Sequence, residues 1–83
     1  MIDDKLDYFC KEVMEFMNYM SIISGGAYQV DIMNLTKLMS SFYDENTRYN
    51  KTQLVYQFLT KIGGRDMMKE YSQFKKFREN NTF

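Results

Sequence analysis

Histidine, proline and tryptophan are absent from this chain of 83 residues, and cysteine occurs once. Histidine is the usual general base near neutral pH, the usual activator of a serine or cysteine nucleophile and the commonest metal ligand. A secreted domain of this size normally needs several disulfides, which Cys10 alone cannot form within the chain. We therefore expect a non-enzymatic protein without a cofactor or metal, in a reducing compartment such as the cytoplasm.

Long apolar runs and calcium-binding motifs are also missing. The first seven residues carry three acids and one base, where a secretory signal would be basic. No uncharged stretch approaches the ~18 apolar residues that could span a bilayer, so we expect no membrane insertion. Residues 44–50 superficially resemble a calcium loop, but Tyr49 occupies the glycine position and Val55 the position of the bidentate glutamate.

Charge is distributed unevenly, although it sums to zero. Residues 1–46 contain eight acids and three bases, a net charge of −5, whereas residues 47–83 contain three acids and eight bases, a net charge of +5. This separation fits a basic binding face. It fits equally well an attraction between the two halves within one fold, or head-to-tail contacts in a homo-oligomer.

Apolar residues recur three and four positions apart along most of the chain, which predicts amphipathic helices. The four glycines form two pairs, Gly25 with Gly26 and Gly63 with Gly64, which mark natural breaks. The predicted fold is all-α, with residues 1–83 forming a single compact bundle of about four short helices. These helices are predicted near residues 3–23, 30–43, 51–62 and 66–78, with a frayed tail at 79–83. The sequence pattern does not determine the conformation of residues 25–30.

Helix ends and inward faces follow from the same pattern. Asp3 or Asp4 is the expected N-cap of the first helix, and Gly63 the expected left-handed end of the third. The residues predicted to face the core are Ile2, Leu6, Phe9, Cys10, Val13, Phe16, Met17, Met20 and Ile23 in the first helix, Ile32, Leu35, Leu38, Met39 and Phe42 in the second, Leu54, Val55, Phe58, Leu59 and Ile62 in the third, and Met67, Tyr71, Phe74 and Phe77 in the fourth.

A protein-binding surface is the first functional hypothesis. The chain holds eight methionines and seven tyrosines, more large soft side chains than four short helices readily bury. Both residue types suit recognition surfaces, because tyrosine pairs a large ring with a polar tip and methionine adapts to irregular partners. The predicted partner-binding residues lie on a second face of the first helix: Tyr8, Glu12, Glu15 and Tyr19.

Other interpretations of that face remain open. Single surface tyrosines are common, and Glu12 with Glu15 is typical of an ordinary solvated side of a helix. Under the binding hypothesis, the chain is a small regulatory or inhibitory protein that occupies the surface of another protein. Its richness in Asn, Lys, Ile and Tyr is compatible with a phage or viral accessory protein.

Nucleic-acid binding through a helix-turn-helix is the alternative hypothesis. Residues 31–43 would support a reading helix at residues 51–62, and no acid occurs from Asn46 to Arg65. The residues predicted to contact nucleic acid are Lys51, Gln53, Tyr56, Gln57, Lys61 and Arg65, which offer amides for base edges and cations for phosphates. Against this hypothesis, the connection at 44–50 is longer than a compact turn and the net charge is zero.

Overall fold

Three α-helices joined by two short connections make up the part of the chain that the structure describes. The structure is a computed structural model and describes residues 4–80. Helix α1 spans Asp4–Ile23, α2 spans Ile32–Glu45 and α3 spans Lys51–Asn80, with no strand among the described residues. The prediction of an all-α fold is confirmed. The predicted count of four is wrong, because the expected third and fourth helices belong to α3.

Helix α3 is sharply bent at Gly64. The backbone there has φ 66° and ψ −150°, a region that glycine alone adopts readily. We call residues 51–63 the first arm of α3 and residues 65–80 the second arm. The predicted left-handed end at Gly63 is therefore misplaced by one residue, since the positive φ occurs at Gly64.

Helix α1 ends in a Schellman motif, as the first glycine pair predicts. The Gly26 amide donates a hydrogen bond to the Ser21 carbonyl at 2.9 Å, and the Gly25 amide donates to the Ile22 carbonyl at 3.1 Å. Gly25 adopts φ 66°, the left-handed conformation that this motif requires. The connection of residues 24–31 that follows contains turns and no regular element.

Polar caps begin the other two helices. The Asp31 carboxylate accepts a hydrogen bond from the Asn34 amide at 3.1 Å, so α2 begins at Ile32, two residues later than predicted. Asn50 and Gln53 form a reciprocal capping box at the start of α3. The backbone amide of Gln53 donates to the side-chain oxygen Oδ1 of Asn50 at 2.8 Å, and the backbone amide of Asn50 donates to the side-chain oxygen Oε1 of Gln53 at 3.1 Å. The predicted opening of a helix at Asn50 or Lys51 is confirmed.

The predictions for the two ends of the chain fall partly outside the described residues. These are Ile2 as a core residue, Asp3 as an N-cap and residues 81–83 of the frayed tail. Glu79 and Asn80, also assigned to the tail, belong to α3.

The centre of the core is an aromatic cluster to which each helix contributes one phenylalanine. The ring centroids of Phe9 and Phe58 lie 5.3 Å apart in an edge-to-face arrangement, and Phe42 lies 5.4 Å from Phe58. A second group, around Phe16 of α1, contacts Tyr71 and Phe74 of the second arm. Helix α1 therefore lies between the two arms of α3, and α2 covers one side of the first arm.

Most of the predicted inward residues are buried, and the exceptions cluster at helix ends and edges. Cys10 is half-buried, and its burial, together with the nearby Asp7 charge, raises the pKa of its thiol. The predicted core residues that the structure leaves exposed are Ile23, Ile32, Leu38 and Phe77, so these four assignments are wrong. The buried apolar residues are Phe9, Val13, Phe16, Met17, Leu35, Met39, Phe42, Leu54, Val55, Phe58, Leu59, Tyr71 and Phe74.

Replacing Phe58 by alanine tests the aromatic centre of the core. Because Phe58 is 1% exposed and contacts rings from the other two helices, we expect the free energy of unfolding to fall by about 3–5 kcal/mol in urea denaturation. Gln57→Ala, at the exposed neighbouring position, is the control and should change the free energy by no more than about 0.5 kcal/mol. Equal losses for the two variants would contradict this description of the core.

Candidate functional site

Glu12 lies in the middle of α1, facing the second arm of α3, and is only 5% exposed. The Tyr71 hydroxyl donates a hydrogen bond to Glu12 Oε2 at 2.7 Å, and Arg78 Nη2 donates to the same oxygen at 2.8 Å. Arg78 Nη1 also pairs with Glu12 Oε1. A buried carboxylate is tolerated only when it is paired and hydrogen-bonded in this way. The predicted place of Glu12 on a solvated face is therefore wrong.

The Glu12 cluster has the electrostatics of a structural ion pair. Hydrogen bonding from Arg78 lowers the pKa of Glu12, against the opposing effect of burial, and the Tyr71 hydroxyl lowers it further. Burial and the hydrogen bond to Glu12 raise the pKa of Tyr71, and the bond to Glu12 raises the pKa of Arg78. A carboxyl group with a lowered pKa stays ionised at neutral pH and is unsuited to general acid catalysis.

The ion pairs of Arg78 join the acidic and the basic halves of the chain. Besides Glu12, its Nη1 atom lies 3.5 Å from Glu15 Oε2, and the Glu15 side chain is 56% exposed. This contact supports internal attraction between the halves as one source of the charge separation.

Tyr56 and Lys51 of the first arm also make contacts within the fold. Lys75 donates a hydrogen bond to the Tyr56 hydroxyl and lies 4.8 Å from the centre of the Tyr56 ring. The Tyr56 ring packs edge-to-face on Tyr71 at 5.4 Å. Tyr56 therefore points toward the second arm, and its predicted place on an outward reading face is wrong. Lys51 lies over the half-buried ring of Tyr8, 5.0 Å from its centre.

Three further residues of the nucleic-acid hypothesis lie along one exposed side of the first arm, because Gln53, Gln57 and Lys61 are spaced four apart. Gln53 uses its side chain in the capping box. The Lys61 ammonium lies 5.5 Å from the centre of the Phe42 ring. Gln57 and Arg65 are exposed. The side-chain oxygen of Gln53 thus already accepts a hydrogen bond from the Asn50 backbone, which weakens the case for base recognition by this surface.

An apolar groove lies between the carboxyl-terminal half of α1 and the second arm of α3. Its volume is about 380 Å³. Three of its lining side chains are unusually exposed for apolar residues: Ile22 at 69%, Ile23 at 51% and Phe77 at 53%. The full lining is Glu15, Asn18, Tyr19, Ile22, Ile23, Phe74 and Phe77.

Aromatic packing builds the groove. The Tyr19 ring centroid lies 5.1 Å from that of Phe74 and 5.6 Å from that of Phe77, so the ring bridges α1 and the second arm. The exposed isoleucines follow Tyr19 in the last turn of α1. Two of the four predicted partner-binding residues, Glu15 and Tyr19, therefore line one groove, whereas Tyr8 and Glu12 do not.

Sequence reasoning missed part of the groove because Ile23, Phe74 and Phe77 are predicted to face the core. Ile23 and Phe77 fit the helical spacing of buried positions, and Phe74 was correctly placed inward. One signal was present in the sequence: Ile22 and Ile23 are adjacent, and neighbouring residues of a helix point about 100° apart. At most one of these two isoleucines could therefore face the core.

Residues 4–80 contain neither a candidate metal site nor a candidate membrane span. No group of three histidine, cysteine, aspartate or glutamate side chains is placed to hold a metal ion within that range. None of the helices described there has the length and apolar character needed to cross a membrane.

Comparison with known proteins found no matching family model, no matching curated protein and no matching solved structure.

Glu12→Gln tests whether the buried carboxylate anchors the second arm. The amide cannot form the charged pair with Arg78, so we expect the free energy of unfolding at neutral pH to fall by about 1–3 kcal/mol. Because the folded-state pKa of Glu12 is lowered, its contribution to stability is present above the ordinary pKa of about 4.3 and is lost as the pH falls through the folded value. The loss in the free energy of unfolding caused by Glu12→Gln should therefore become smaller at acid pH.

The matched control for this measurement is Glu15→Gln, one turn along α1. The Glu15 side chain is 56% exposed and more distant from Arg78, so its loss should cost no more than about 0.5 kcal/mol. Urea denaturation at a series of pH values measures both variants. A deficit of Glu12→Gln that stays constant from neutral to acid pH would contradict the assignment of an ionised, paired carboxylate.

Proposed function

We propose that this chain is a small, non-enzymatic regulatory or inhibitory protein that binds another protein in the groove between α1 and the second arm of α3. The observation that carries the proposal is the contiguous exposure of Ile22, Ile23 and Phe77 beside the rings of Tyr19 and Phe74. Exposed apolar surface of this kind is costly in water, and where it is continuous and rimmed by polar groups it is typical of a recognition site.

The occupant that best fits this groove is an amphipathic helix of the partner. Two helices form its walls, and their side chains are mainly apolar, as in proteins that receive the apolar face of a helix. The one charged side chain among the groove-lining residues that the structure describes is Glu15, more than half of which is exposed. Charge complementarity therefore favours a partner helix with a lysine or arginine placed opposite Glu15, beside its apolar stripe.

A protein partner fits the groove better than nucleic acid does. None of the groove-lining residues that the structure describes is basic, whereas contacts of lysine and arginine with phosphate groups dominate the affinity of proteins for nucleic acids. Asn18, the other polar residue of the lining, offers both a donor and an acceptor, which suits a peptide backbone or side chain. The half-buried Cys10 thiol agrees with action in a reducing compartment such as the cytoplasm.

Selection from a displayed library of amphipathic helical peptides tests the proposal. The library carries lysine, glutamate or serine at the position expected opposite Glu15, and selected peptides are measured by fluorescence anisotropy. We expect lysine to be enriched, and Ile22→Asp to weaken binding at least about tenfold, as removal of a central apolar contact does at other interfaces. Met33→Asp is the matched control, because Met33 is 74% exposed on α2, outside the groove, and should leave the affinity unchanged.

Two results would overturn the proposal. One is an equal loss of affinity for Ile22→Asp and Met33→Asp, which would place binding elsewhere. The other is salt-sensitive binding of duplex DNA that disappears when Lys51, Lys61 and Arg65 are replaced by glutamine, which would favour the nucleic-acid hypothesis. Circular dichroism of each variant verifies that the helical fold is retained.

A further inference from the structure

The bend in α3 requires both glycines of the second pair, for different physical reasons. Gly64 adopts a backbone conformation that other residues avoid, although a Cβ added there would meet nothing within 4 Å. A Cβ added at Gly63 would lie only 2.4 Å from the Cβ of Met67. In an unbent helix, the Cβ atoms of residues four apart are about 5–6 Å apart. Both constraints therefore belong to the bent form and vanish when α3 is straight.

A straight α3 could not fold back on its own chain. At 1.5 Å per residue, its 30 residues would extend about 45 Å, whereas the longest dimension of the folded molecule is 34 Å. The second arm would project into solvent, away from α1. Glu12 would then lose Tyr71 and Arg78, and Phe16 would lose the rings of the second arm.

A second copy of the same chain carries the groups that α1 would then lack. Its second arm has the same tyrosine and arginine for Glu12, and the same phenylalanine for the ring of Phe16. The contact of Tyr71 with Tyr56 in the first arm would be re-formed as well. Exchange of second arms therefore restores these contacts between elements and changes the backbone at the Gly64 bend.

We propose that the second arm of α3 is an exchangeable element, and that two copies of this chain form a domain-swapped dimer by straightening at Gly63 and Gly64. Each second arm packs on α1 of the other copy, and the groove is rebuilt from two chains. Hinges of this kind, in which one element unbends while its contacts pass to a partner, are a low-cost route to dimers.

Gly64→Ala is the first test, because alanine penalises the bent backbone and favours a continuous helix. We expect dimerisation at least about tenfold tighter than in the unsubstituted chain, since each of two hinges is relieved of strain. Gly63→Ala should act in the same direction through the contact with Met67. Size-exclusion chromatography with light scattering, over a wide range of protein concentration, measures both variants.

Gly25→Ala is the matched control. Gly25 has the same φ of 66°, and a Cβ added there also meets nothing within 4 Å, but it lies in an irregular connection and not within a helix. The substitution should lower the melting temperature while leaving the chain as monomeric as the unsubstituted protein. Dimerisation of Gly25→Ala equal to that of Gly64→Ala would overturn the hinge mechanism.

Contacts across the dimer identify the swap. Isotope-filtered nuclear Overhauser measurements on mixed labelled and unlabelled chains should detect contacts between Phe16 of one chain and Phe74 of the other. A Glu12→Arg chain and an Arg78→Glu chain, each also carrying Gly64→Ala, should form a mixed dimer in preference to either homodimer. In the mixed dimer alone, every pair of residues 12 and 78 that meets has opposite charge.

Three outcomes would overturn the proposal. Gly64→Ala could remain monomeric with only a lower melting temperature, or it could dimerise without contacts between Phe16 and Phe74 of different chains. The third outcome does not depend on any variant folding: the unsubstituted chain, refolded at high protein concentration from a labelled and unlabelled mixture, could show no interchain contact between these rings. Detection of that contact in the unsubstituted chain supports the exchange.

Discussion

Pairing of the buried Glu12 carboxylate with Tyr71 and Arg78 holds the second arm of α3 against α1. Glu12 lies on the face of α1 that meets α3, and its partners Tyr71 and Arg78 both belong to the second arm. A charge in this position is tolerable only while the arm is docked, because an unpaired buried carboxylate is strongly destabilising. The apolar contacts of Phe16 are supplied by the same arm. Docking of the second arm therefore supplies both the hydrogen-bond partners of Glu12 and the apolar contacts of Phe16.

The bend at Gly64 is the geometric consequence of that docking. A helix of 30 residues can return along α1 only if its backbone leaves the helical region at some point. The residues after the bend then run beside α1 to its last turn, where Ile22 and Phe77 remain more than half exposed. The same event thus buries one part of the α1 surface and forms an open apolar groove beside it.

Several polar residues therefore lie in contacts between helices, and several apolar residues lie at the surface, which is the reverse of what the sequence pattern suggests. Glu12, Tyr56 and the ring of Tyr8 resemble components of a binding or catalytic face, yet they participate in contacts that hold the helices together. Ile23 and Phe77 have the spacing of core residues, yet they line the accessible groove. For this small domain, the chemistry available to a partner is mainly apolar area with one acidic group at its edge.

The sequence by itself determined the local features of this protein. Apolar spacing predicted the helices and buried residues such as Val13 and Phe58, and the glycine pairs marked two of the places where the chain changes direction. Tertiary structure alone decided that Glu12 is buried and that Phe77 is exposed. Periodicity identifies the faces of a helix, but it does not reveal which neighbour covers each face or how far along the helix that cover extends. Those outcomes depend on residues up to 66 positions apart, such as Glu12 and Arg78, which meet only after α3 has bent.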